Sequence, residues 1–305
     1  MNSTEFSYST SFPEDAISSD SLSWERRLLY SAVSLLSGGL SVLVNGCSGV
    51  LVQRTPTTRG TPFSLLSSSM AVADCVSSAL IAFWVPPLTY AQAVELSRSR
   101  LGVYVGSVAM PMQVASVLTL LTIAVNRALA MASPATYASL FTASNTKVVI
   151  VGIWTLSAPF YLMCLPEGCG FRYDPEMLAW TWAAEECGQW NARWLDARFT
   201  TTGIALVLLF NVVAVAFLWK GNQRMLAQID RSVDRAEVRR RRRQEINFLV
   251  MTVLNVLAWL LGLFFFNFVL YWVESQIGVF LASIIAWSMA LSSNGSVRRT
   301  LRTVQ

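Results

Sequence analysis

Charge is missing from most of this chain in long, unbroken runs. Leu28 to Val52, Leu101 to Asn126, Val148 to Pro166, Phe199 to Trp219, Ile246 to Val273 and Ser275 to Val297 carry none, and Phe63 to Pro87 carries only Asp74. A helix needs about 20 apolar residues to cross hydrocarbon roughly 30 Å thick, because each residue advances about 1.5 Å. Seven such runs leave almost no surface for water. The composition agrees: 54% of residues are hydrophobic and 13% charged, against about 25% charged in a soluble globule. Lipid is therefore the expected solvent, and backbone groups left unpaired in lipid are prohibitive, so the runs read as helices. Transmembrane strands would instead alternate in polarity over about ten residues. Leu206-Val207-Leu208-Leu209-Phe210 and Leu263-Phe264-Phe265-Phe266 are continuously apolar, which argues against a barrel.

The loops orient the bundle. Taken together, 1–27, 89–100, 167–198 and Glu274 carry 13 acids and 7 bases, whereas Lys and Arg dominate 53–62, 132–147, 220–245 and the tail. Lys and Arg collect on the cytoplasmic side, so the amino terminus is expected outside and the carboxyl terminus inside. The expected organisation is an extracellular tail over 1–27, a seven-helix domain over 28–298 and a cytoplasmic tail over 299–305. The first 27 residues have no apolar core resembling a signal peptide. Asn2-Ser3-Thr4 is a glycosylation sequon on the correct side; Asn294-Gly295-Ser296 matches too but falls on the cytoplasmic side.

A carboxylate at Asp74, near the middle of the second span, costs at least a few kcal/mol on insertion scales, so it should face the interior and find partners. Asn45, Ser116 and Ser288 are candidates to complete a polar cluster. Such a cluster pins helices together, and it can also couple to a cation or proton. Asn126-Arg127 ends the third span; the arginine can snorkel to the headgroups or form an inner latch that opens towards a cytoplasmic partner. Pro111 and Pro159 are candidates to bend spans three and four.

With no histidine in the chain, imidazole bases and His-bearing metal sites are excluded, and enzymatic activity is not expected. Cys169 and Cys187 share the largest outer loop. A bond between them suits that compartment and is worth roughly 3 kcal/mol in loop-closure terms. Cys47, Cys75 and Cys164 read as packed thiols. The aromatic segment from Phe171 to Trp182 can shape a cavity mouth or anchor as an interfacial belt. The Arg231–Arg243 run borders a span, so anionic lipid and topology account for it. No nucleic-acid partner is expected, although an acidic cytoplasmic partner would also suit it.

Ala158-Pro159-Phe160-Tyr161-Leu162, then Glu167-Gly168-Cys169-Gly170-Phe171-Arg172-Tyr173-Asp174-Pro175, Leu178-Ala179-Trp180-Thr181 and Cys187 form an ordered cluster. On it the chain resembles the nematode serpentine chemoreceptors of class X, within the rhodopsin-like G protein-coupled receptors. The likeness covers roughly residues 28 to 300. It implies an all-α, seven-transmembrane bundle and carries over several positions. Asn45 resembles the first-helix asparagine, Asp74 the second-helix aspartate and Trp154 the fourth-helix tryptophan. Asn126-Arg127-Ala128 takes the place of Asp-Arg-Tyr, and Ser116 joins Asp74 as a candidate site for an allosteric sodium ion, the one cofactor the resemblance suggests. Gly102 stands where the third helix usually offers a cysteine, so the Cys169–Cys187 bond is local, as the class X pattern implies. Ser288-Met289-Ala290-Leu291-Ser292 replaces Asn-Pro-x-x-Tyr, and Trp259 has no Cys-Trp-x-Pro around it.

The implied function is a ligand-gated switch. A small molecule would bind beneath the 167–198 loop and favour an inner face open to a heterotrimeric G protein. The expected location is the plasma membrane, by resemblance the ciliary membrane of a sensory neuron, and receptor oligomers are compatible with it. Opsin chemistry is excluded: Lys147 and Lys220 are the only lysines, and both fall near the cytoplasmic face. A transporter or channel is disfavoured because Asp74 reads as the only acid within a span. A non-signalling seven-helix protein is the other alternative.

Overall fold

The computed structural model describes residues 22–56 and 59–228, and beyond them 253, 256–262, 264–265, 273, 275–288 and 291. Asn2, Asn294, the Arg231–Arg243 run and the tail over 299–305 lie outside the described residues.

Helix α1 spans Trp24–Arg54 and shows what solvent the fold is built for. Ser34, Ser41, Asn45 and Ser48 are buried along one face, while Leu36 and Leu43 on the other are 71% and 65% exposed. The polar side faces inward and the leucines face out, the reverse of a helix in water. Small inward residues let backbones approach closely. The helix begins at Trp24, slightly inside the stretch assigned to the outer tail, with Glu25 in its first turn and Arg54 in its last. Glu25 and Arg54 sit on the favourable ends of the helix dipole, whereas Arg26 and Arg27 in the first turn do not.

Helix α2 (Pro62–Ala79) starts at a Thr61 cap that accepts from the Ser64 N–H, with Pro62 in its first turn. It runs through a wide π-type turn at Leu80–Trp84 into α3 (Val85–Ala91), where the Val85 N–H reaches back to the Leu80 carbonyl. Pro86 and Pro87 explain the widening, since neither offers an N–H and each ring crowds the preceding turn. Gly38 of α1 packs on this turn: a Cβ there would lie 2.6 Å from the Ala82 nitrogen.

Short α4 (Val94–Arg98) leads to α5 (Arg100–Ser107) and α6 (Ala109–Ala132), which together make the third crossing. The interruption at Val108 lies one turn before Pro111, whose ring would crowd the carbonyl of Ser107. Pro159, by contrast, sits in the last turn of α8 without ending it. Gly102, the position expected to offer a cysteine, packs against α4, where a Cβ would meet the Ser97 carbonyl oxygen at 2.0 Å. Helix α7 (Pro134–Leu140) then precedes α8 (Ala143–Leu162), which packs on α2 and α6 through a thin face of Thr146, Ile153 and Ser157.

The all-α reading needs one addition. Phe171–Asp174 (β1) and Ala179–Trp182 (β2) form an antiparallel hairpin, with Phe171 opposite Trp182 and Asp174 opposite Ala179. Helix α9 (Glu186–Asn191), a second wide turn at Ala192–Arg198 and α10 (Phe199–Gln228) follow as one continuous rod. A third wide turn, Leu281–Ile285, follows the helix Gln276–Phe280. Among the described residues four stretches are long and apolar enough to cross a membrane: Trp24–Arg54, Pro62–Ala91, Arg100–Ala132 and Glu186–Lys220. The core divides along the bundle. Phe171, Tyr173 and Trp180 of the hairpin pack with Leu88, Met110 and Phe280 at one end, while Leu66, Leu120, Ile204 and Trp259 fill a second cluster.

Candidate functional site

The hairpin is an inserted plug. Phe171, Tyr173, Leu178 and Trp180 are all buried, so the aromatic segment faces the bundle and the interfacial-belt alternative is set aside. Tyr173 shares a 2.8 Å hydrogen bond with the Thr89 hydroxyl, and the Ser97 hydroxyl donates to the Tyr173 carbonyl. Burial pushes the Tyr173 phenol well above its ordinary range, which keeps it neutral. Asp174 caps the turn by accepting from the Glu176 and Met177 N–H groups at 2.9 and 3.2 Å, a local bond typical of aspartate. Arg98 reaches Glu176 at 2.9 Å. Leu178 takes a left-handed φ of 55°, costly for a bulky side chain, while its side chain is fully buried and its carbonyl accepts from Ser283 at 3.3 Å. Gly106 lets β1 approach, because a Cβ there would lie 2.4 Å from the Phe171 carbonyl oxygen.

A disulfide joins Cys169 to Cys187 across a sequence separation of 18, the pairing expected. It closes the base of the hairpin onto α9. Asn191 adds donations to the Cys169 and Met163 carbonyls at 3.1 and 3.2 Å.

Beneath the hairpin lies a polar group that sequence reasoning missed. The charge pattern puts Asp196 in an outer loop and leaves Asp74 as the sole acid within a span. The wide turn at Ala192–Arg198 instead extends the fifth crossing upward and turns Asp196 inward. The Gln113 amide donates to Asp196 at 3.0 Å and to the Thr200 hydroxyl at 2.8 Å, and the Trp182 indole donates to the other carboxylate oxygen at 3.3 Å. Asp196 and Gln113 are buried, and Thr200 is fully so. A signal was present: Asp196, Thr200, Ile204, Val207 and Asn211 recur at helical spacing, and all five are buried. Continuing that face one turn upstream of the charge-free run would have found the acid.

Asp74 is fully buried in the middle of the bundle and accepts a 2.5 Å hydrogen bond from Ser116. Of its other expected partners, Asn45 sends its amide to the Leu291 carbonyl at 3.0 Å and to Ser41 at 3.4 Å, tying the first helix to the last. Ser41 bonds Ser78 at 2.8 Å and Ser288 bonds Ser37 at 3.3 Å, so a serine ladder runs between helices beside the carboxylate. A carboxylate with a hydroxyl oxygen alongside is a hard-oxygen donor set, which suits sodium in kind. Trp154 hydrogen-bonds Ser69 at 3.0 Å and fastens α8 to α2.

At the end of the bundle opposite the hairpin, the Arg127 guanidinium stands over the Phe63 ring at 5.5 Å. Asn126 is buried and its amide nitrogen has no hydrogen-bond partner among the described residues. The arginine is thus held against the start of α2.

The crystal structure of squid rhodopsin superposes with a TM-score of 0.76 at 12% identity, covering 93% of this chain and 82% of that one. At that identity the likeness establishes the fold alone, a seven-transmembrane bundle. No curated protein matches the chain. A family model described as "Serpentine type 7TM GPCR chemoreceptor Srx" matches residues 40–298. The chain therefore belongs to the Srx family of serpentine seven-transmembrane chemoreceptors, and it is a membrane protein of the G protein-coupled receptor type.

Proposed function

We propose that this chain is a chemosensory receptor of the plasma membrane, in a sensory cilium by family likeness, that binds a small extracellular ligand and activates a heterotrimeric G protein. The observation that carries the reading is the hairpin seated in one end of the bundle above the buried Asp196–Gln113–Thr200 group. A ligand reaching that group would touch the hairpin and the third and fifth crossings at once. Helix α6 links this group to the other end: Gln113, Ser116 and Asn126–Arg127 lie along it in order. A ligand that binds one arrangement of α6 more tightly than the other shifts the balance between them. Asp74 and Ser116 would hold a sodium ion in the inactive arrangement, and Arg127 would release its contact with Phe63 when the inner face opens.

The test is direct. Ligands found by screening against G-protein dissociation should act on the wild type, and Arg127→Ala should bind them but dissociate far less G protein at equal surface level. Unchanged dissociation would remove the latch role. Ligand binding without any G-protein or arrestin recruitment would mark a non-signalling seven-helix protein instead.

A further inference from the structure

We infer that Asp196, with Gln113 and Thr200, forms a recognition site for a small organic ammonium ion. The inference rests on the receptor reading for its biological use, but its chemistry stands on geometry alone.

Asp196 is a buried carboxylate whose hydrogen bonds come from two neutral donors, the Gln113 amide and the Trp182 indole. Among the described residues both ion pairs belong to Arg98. The two arginines nearest in sequence are Arg193 and Arg198, and the Arg198 guanidinium lies 3.8 Å over the Trp194 ring. A buried carboxylate without a cation is expensive to keep.

The second observation is the Gln113 carbonyl oxygen, buried and without a hydrogen-bond partner among the described residues. With Asp196 ionised, the hydrogen bonds set its orientation. Both bonds of the side chain use the amide nitrogen, towards the Asp196 carboxylate and the Thr200 hydroxyl. Flipping the amide would set an oxygen lone pair against a carboxylate. With Asp196 ionised, the cluster therefore presents a charged acceptor, an amide acceptor without a partner among the described residues and a hydroxyl oxygen with a spare lone pair. A primary ammonium group carries one positive charge, three donors and no acceptor, which complements that set. An anionic head group would meet the carboxylate's repulsion, and a neutral alcohol would leave its charge uncompensated.

The surroundings suit an organic cation better than a bare ion. Trp182 is half-buried, the most open aromatic of the hairpin, and its ring lies 4.9 Å from that of Phe171. Phe160 and Phe199 pair at 5.4 Å, with Phe199 next to Thr200 in the chain. Aromatic faces attract cations and accept the apolar body of an amine.

The experiment uses the full chain in lipid nanodiscs. Phenethylamine and hexylamine are titrated against phenethyl alcohol, hexanol, hexanoate and sodium chloride, with apparent Tm as the readout. The amines should raise Tm and their matched alcohols should not. Asp196→Asn should weaken the amine response at least about 30-fold, and Asp196→Glu should restore much of it. If Asp196→Asn fails to reach the membrane, Gln113→Leu decides, and it should weaken the amines selectively. Amines that stabilise no better than alcohols, a response matched by sodium chloride, or undiminished binding in these variants would overturn the assignment. G-protein dissociation measured in parallel separates the two readings. Amine binding through Asp196 without dissociation leaves the site standing and removes the receptor function. Dissociation driven by a neutral compound and unaffected by Asp196→Asn does the reverse.

Discussion

Replacing Gly106 with alanine tests whether the hairpin is seated where the structure puts it. The added Cβ would lie 2.4 Å from the Phe171 carbonyl oxygen and 2.9 Å from the Arg172 Cα. Both are backbone atoms, so no side-chain rotation relieves the clash, and β1 must retreat by roughly 1 Å to regain ordinary contact. That strand is held by the Thr89–Tyr173 bond, the Ser97–Tyr173 bond and the disulfide behind it. Overpacking of this kind costs about 1–3 kcal/mol. Alanine also favours a helix over glycine by about 1 kcal/mol, so the control is a helical glycine with free space. Gly152 of α8 has nothing within 4 Å of its would-be Cβ. Gly106→Ala should lower the apparent Tm of the purified chain by on the order of 5 °C, and Gly152→Ala should leave it unchanged or raise it. Equal behaviour of the two variants would mean the hairpin does not rest on α5, and the account of the site beneath it would fall with that contact.

Other substitutions read different parts of the structure. Leu66→Ala empties a fully buried position and should cost about 2–5 kcal/mol. Leu36→Ala, on the lipid face, should cost far less; comparable losses in a thermal-shift series would refute the inside-out assignment of the helices. Cys169→Ser opens the hairpin base and should cost roughly 3 kcal/mol, read as a lower Tm that reductant reproduces in the wild type. Asp74→Asn should abolish any sodium-dependent stabilisation and shift the active–inactive balance by about 1–3 kcal/mol, seen as altered ligand-independent G-protein dissociation. A variant that keeps full sodium sensitivity would take the ion away from Asp74.

The membrane class and the helical crossings were legible because lipid imposes a length and forbids charge, and both can be counted along a chain. Cys169–Cys187 was legible for a related reason: two thiols in one outer loop have few other partners. Asp74 and Ser116 were paired correctly because a lone mid-span carboxylate must find a donor. The same rule misled at Asp196. Sorting the chain by charge-free runs ends a helix at its first charge, whereas the fifth crossing continues past Arg198 and Asp196 through a wide turn. The hairpin was hidden for another reason. Its strands span only Phe171–Asp174 and Ala179–Trp182, and burial of alternate aromatics in a loop depends on what the helices leave open. The Asn45 amide donates to the Leu291 carbonyl, a pairing between the first and last helices that no local pattern encodes.

On this reading, ligand binding beneath the hairpin rearranges the opposite end of the bundle. Spin labels at Ser139 and Lys220, exposed positions after the third crossing and at the end of the fifth, allow that motion to be measured in nanodiscs by pulsed electron resonance. Addition of a bound ligand should redistribute the label separations, and Arg127→Ala should shift the unliganded distribution the same way. Separations that stay fixed while the ligand is demonstrably bound would contradict the account.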